Sequence, residues 1–128
     1  MAKFDATKMQ DWEIAEAAEK DMMTVEALAE KAGVKMGWGT DLIGETQALQ
    51  RQEFAIRAEV QSAESILHAM YVMNPIILNR ADKIGRLSPG MRGYVILSSV
   101  DPLANIAGLA QDDVVTEVIQ AGVAVRAV

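Results

Sequence analysis

Helical patterning through about residue 79, followed by strand patterning after residue 93, predicts an α/β chain. The junction around Gly33 supports this. Gly33 suits the left-handed position just past a helix end, and Val34–Thr40 follows as a short, largely apolar stretch. Such a stretch fits a parallel strand covered on both faces. Gly37 and Gly39 would cost that strand entropy unless another backbone or a ligand comes close. Asp41 then stands where the strand opens into a loop, the end at which α/β folds keep their chemistry.

The composition narrows the function classes. The chain has 128 residues, one domain's worth, and a 51% apolar share that argues against wholesale disorder. With no cysteine, disulfides and thiolate metal sites are excluded, which fits a reducing cytoplasm. The formal charge is −6 and the 12 basic residues are scattered, so no nucleic-acid surface is expected. No apolar run approaches the roughly 20 residues of a membrane span, and Met1–Asp5 lacks the apolar region of a signal peptide. A soluble, cytoplasmic protein with no membrane partner is the expectation.

In chain order, residues 6–21 are rich in good helix formers, with Met9, Trp12, Ile14, Ala15 and Ala18 available for one apolar face. The acidic residues among them read as a solvated face, since nothing there resembles a calcium loop. Thr24 is expected as the N-cap of a second helix that ends at Gly33, with Glu26 in its first turn. Leu42–Gln50 reads as a loop and Arg51–Val60 as a helix. Ser62 should cap a longer helix to about Asn79, with Ile66, Leu67, Met70, Met73 and Ile77 at helical spacing and Pro75 interrupting it. Pro89-Gly90 signals a turn and Tyr94–Ser98 a strand. Val114–Ile119 and Val123–Val128 flank Gln120-Ala121-Gly122 as a hairpin. The expected organisation is a helix-rich segment, 1–79, and a β-rich segment, 80–128.

The run Ala32-Gly33-Val34-Lys35-Met36-Gly37-Trp38-Gly39-Thr40-Asp41-Leu42-Ile43-Gly44-Glu45, followed by Gln47–Phe54, resembles the eighth strand and following loop of metal-dependent amidohydrolases, in their prolidase and carboxypeptidase-like branch. The resemblance continues through Ser62–Ala69, Lys83–Gly90, Asp101–Ile106 and Val118–Gly122, so it covers the chain from about Met22 onward. It keeps the Asn of the family's Asn-Ala-Ala-like stretch at Asn74 and departs after it, at Pro75, and again at Gly93-Tyr94 and Ser98-Ser99-Val100 in the strand region. The resemblance implies a partial (β/α)8-barrel segment, the last βα unit, followed by the C-terminal part of a composite β-sandwich. A complete barrel takes roughly 250 residues, so the chain would be a piece of such an enzyme.

That resemblance also assigns chemistry. The Asp after Gly-Thr, here Asp41, would touch the catalytic metal, zinc in the resembled enzymes, and accept a proton from the attacking water. Read by residue type alone, Asp41 could equally cap a loop. Glu45, Gln47 and Gln50 fall in the loop that borders the substrate pocket, where a small peptide or acyl-amino acid would bind. The metal's imidazole ligands have no counterpart, because the only histidine, His68, follows on a helix and reads as a helix-surface or packed residue. A carboxylate set of Asp41, Glu45 and Glu53 could hold a weak Mg2+ or Ca2+. Trp38 reads as a core aromatic filling space beside the glycines, with a ligand platform as the other option. The expected function is thus a fragment of an amide-hydrolysing enzyme, inactive alone. A noncatalytic module that self-associates through orphan strand edges, or a small-ligand binder using Trp38–Glu45, is the alternative.

Overall fold

A computed structural model describes residues 11–125, with the backbone alone for 11–19. The helix start expected at residue 6, the Met9 to Ala18 apolar face, and strand residues 126–128 lie outside the described residues.

The first element, α1, is one continuous helix, Asp11–Lys31, where the sequence suggested a break near residue 24. No Gly or Pro interrupts it. Thr24, expected as an N-cap, instead turns its hydroxyl back to the Lys20 carbonyl at 2.8 Å within the helix. The stop comes where expected, at Gly33 with φ +69. The N–H groups of Gly33 and Val34 return to the carbonyls of Glu30 and Ala29 at 3.0 and 2.9 Å, the pairing of a Schellman cap.

Residues 34–43 form neither helix nor strand ladder among the described residues. The strand expected over 34–40 lacks parallel neighbours, because the sheet that is present is antiparallel and lies further along the chain. A 3-10 turn, Gly44–Leu49, occupies the loop, and α2 follows at Gln52–Ala58. Ser62 caps α3, Ala63–His68, by accepting the Ser65 N–H at 3.1 Å. The Ser65 hydroxyl in turn donates to the Glu30 carboxylate, tying α3 to α1.

Pro75 has no N–H to offer the Tyr71 carbonyl, so the helix cannot pass through it unchanged. The backbone widens into a π turn over Ala69–Met73 before α4, Asn74–Ile77. Gly85, at φ +101, approaches the Tyr71 carbonyl so closely that any Cβ there would overlap it. Asn79, at φ +53, closes the helix, with Arg80 N–H donating to the Pro75 carbonyl at 2.7 Å.

The β-rich part is a three-stranded antiparallel sheet of β1 (Val95–Ser98), β2 (Val115–Gln120) and β3 (Val123–Val125), in that order. Val95 faces Ile119 and Leu97 faces Glu117, with the register shifting before Ser98. Ala121 and Gly122, at φ +51 and +82, form the two-residue loop joining β2 to β3. Pro89-Gly90 turns as expected, with Gly90 at φ +87 and Met91 N–H donating to the Ser88 carbonyl at 3.1 Å.

The buried apolar residues are Ile66, Ala69 and Met73 from the helical part, with Ile106 and Val114 from the β-rich part. Ile77, expected to be inward, is exposed as the last residue of α4. A 3-10 turn at Ile106–Ala110 packs against α2. Arg51 reinforces that packing, its Nε donating to the Leu109 carbonyl at 3.3 Å.

Candidate active site

The site is built on how Gly37–Trp38–Gly39 is held. Arg57, on α2, is buried and donates from Nη1 to the Gly37 carbonyl at 3.3 Å and from Nη2 to the Gly39 carbonyl at 3.4 Å. Its charge is met by two carboxylates, Glu53 at 2.6 Å on the same helix and Glu26 at 3.3 Å on α1. The guanidinium also lies over the Trp38 ring, 4.9 Å from its centroid. Trp38 stacks at 4.6 Å on Phe54, so its indole is part of the packing rather than an open platform.

Asn74 holds the residue between the glycines. Its Oδ1 accepts the Trp38 N–H at 2.8 Å and its Nδ2 donates to the Trp38 carbonyl at 2.9 Å. Gly37 leaves room for this amide, since a Cβ there would lie 2.7 Å from Asn74 Oδ1 and 2.8 Å from Ile77 Cδ1. Asn74 stood out in the sequence only as the family residue kept before a departing Pro75. Arg57 carried no sequence signal beyond its i, i+4 spacing from Glu53 on the same helix.

Asp41 emerges two residues beyond this clamp. It is exposed, with φ +52, and among the described residues no hydrogen bond or ion pair engages its carboxylate. Few side chains other than Asn and Asp tolerate that left-handed backbone readily. Glu45 and Gln47 follow on the exposed 3-10 turn, and neither is bonded to Asp41. Glu53, the third member of the carboxylate set, is turned to Arg57 instead. His68 is exposed on α3 beside a groove of about 430 Å³ that also contains Glu30, Glu64 and Ser65.

Burial pushes the Glu26 carboxyl up from its usual range, with Arg57 pulling it down by less and Glu53 adding to the rise. Tyr71 is pushed up by burial, and Asp82 is lowered chiefly by its hydrogen bond from Lys83.

The described residues do not make up a metal centre. No group of three His, Asp or Glu side chains among them could hold an ion, and a catalytic zinc takes three protein ligands. A groove of about 540 Å³ runs between Met70–Leu78 and the Ile84–Leu87 and Tyr94–Ile96 segments, and Asp41 does not border it. No described helix is long and apolar enough to cross a membrane.

Comparison with known proteins decides the family. The amidohydrolase family model matches residues 10–125. The chain belongs to the amidohydrolase family. A crystal structure of an amidohydrolase is 35% identical over 80% of this chain and 25% of its own length, with a TM-score of 0.75. A prolidase crystallised with N-methylphosphonate-L-proline is 30% identical over 93% of this chain and 30% of its own, with a TM-score of 0.79. A Xaa-Pro dipeptidase with methionine bound in its active site shares the fold, at a TM-score of 0.71 and 23% identity. These place the chain in the prolidase-like branch of the amidohydrolases, of which it is a fragment. It spans only 25% to 30% of the length of the solved structures that it matches. Among curated proteins no significant match is found. The amidohydrolase family is metal-dependent.

Proposed function

We propose that this amidohydrolase portion supplies the proton-accepting carboxylate, Asp41, to a centre that hydrolyses an amide bond in a dipeptide or acyl-amino acid. The observation that carries this reading is Asp41 itself: an exposed acidic side chain in a left-handed conformation, at the exit of a backbone segment clamped by buried groups. Left-handed residues other than glycine are uncommon, and functional positions are among the places where they occur. The family's metal, zinc in this proposal, would activate the attacking water, and its remaining ligands would come from outside the described residues. Residues 34–40 would then serve as the last barrel strand, and residues 80–128 as part of a β-sandwich. Glu45 and Gln47 would border the substrate. The chain alone is inactive, and the absence of cysteine suits a cytoplasmic setting.

A graft tests this. Residues 22–125 replace the matching portion of the prolidase relative, and dipeptide hydrolysis is measured with metal present. Turnover should survive the graft and fall at least about a hundredfold with Asp41→Asn. Full activity in the Asp41→Asn graft would reject the reading.

Self-association remains the second reading, favoured by β3. Val123–Val125 is exposed along its whole length at the edge of the sheet formed by the described residues, a ladder that a second copy could extend. A sedimentation run at micromolar concentration that shows only monomer would count against it.

A further inference from the structure

The backbone of Gly37–Trp38–Gly39 is bonded in an alternating pattern, as the groups of a strand alternate between two neighbours. The carbonyls of Gly37 and Gly39 go to Arg57, and both polar groups of Trp38 go to Asn74. Side chains thus occupy the places that neighbouring strands would fill. We propose that Arg57 and Asn74 are positioning residues for Asp41, holding the segment that delivers it whether or not a ladder is present.

The two residues divide the task by chemistry. A primary amide is the one neutral side-chain group that copies a peptide's donor and acceptor together, so Asn74 can pair with Trp38 as another strand would. A guanidinium has donors fixed in a plane and can reach two carbonyls while keeping ionic partners. Glu53 and Glu26 hold that plane from two different helices, which fixes where its other donors point. Gly37 completes the arrangement, because any side chain there would displace the Asn74 amide. Only Thr40 separates this clamp from Asp41. The catalytic meaning of the placement rests on the reading of Asp41 given above, but the placement itself does not.

Amide hydrogen exchange and chemical shifts, measured by NMR on the intact chain, test the proposal. In Asn74→Ala the Trp38 amide should exchange about tenfold faster and the Asp41 amide resonance should move, while the Ser99 amide in the β-rich part keeps its native rate. Asn74→Asp keeps the acceptor for Trp38 but loses the donor. There the Trp38 rate should stay near native while Asp41 still shifts, and this variant carries the test if the alanine one fails to fold. Arg57→Lys keeps the positive charge between Glu26 and Glu53, yet one ammonium cannot span carbonyls two residues apart, so Asp41 should shift again. Native Trp38 rates and Asp41 resonances in all three variants would overturn the proposal. So would a uniform acceleration of every amide, which would mark a purely structural role. None of these readouts involves turnover. An active Asp41→Asn graft would remove the catalytic reading and leave the positioning result standing.

Discussion

At Asp41 two demands on one residue conflict. The left-handed backbone costs an L side chain about 1 kcal/mol relative to glycine, and no bond among the described residues offsets it. Asp41→Gly should therefore raise stability by roughly 0.5–1 kcal/mol, read from the denaturant midpoint, while a graft carrying it loses hydrolysis. Glu26 sets a similar test through pH. Its folded-state pKa is raised, so between its ordinary value and the raised one the folded chain holds more proton than the unfolded chain. Its contribution to stability then falls as pH rises through that window and is least favourable above it. Because burial outweighs the attraction of Arg57, Glu26→Gln should be more stable than the native chain at pH 7. That advantage should shrink as pH drops through the folded pKa, a trend that melting curves at a series of pH values would show.

Among the elements, the interrupted helix from Ala63 to Ile77 is the most exacting. Gly85 is required twice, by φ +101 and by the Tyr71 carbonyl against it. Gly85→Ala should cost at least about 2 kcal/mol in urea unfolding, whereas Ser62→Ala, which removes one cap bond, should cost about 1 kcal/mol. The Ser62 cap, the Gly33 stop, the Pro75 interruption and the Ala121-Gly122 hairpin were all legible, because each depends on local backbone chemistry. Thr24 misled for the same reason: a good capping residue also satisfies itself inside a helix. The clamp was not legible. Arg57, Asn74 and Glu26 meet only through tertiary packing, and neither spacing nor propensity records a contact between α1, α2 and α4. Asp41 was singled out in the sequence by its position after Gly-Thr, but the lack of a bond to its carboxylate among the described residues was not legible there.

On the scale of the whole molecule, the question is whether the helix-rich and β-rich parts unfold together. The buried apolar set draws on both parts, α2 packs on the Ile106–Ala110 turn, and Arg51 bonds across to Leu109. Few of the described residues are fully buried, so the two parts are expected to depend on each other for a core. A single cooperative transition follows. Trp38 fluorescence, in a Trp12→Phe background, reports on the helical part, and exchange at the Ser99 amide reports on the β-rich part. Ile106→Ala lies in the β-rich part, so it discriminates: it should cost about 2–5 kcal/mol and lower both midpoints equally. A Trp38 midpoint unmoved by that substitution would mean that the helical part folds independently, and that the clamp around Asp41 needs nothing beyond residue 79.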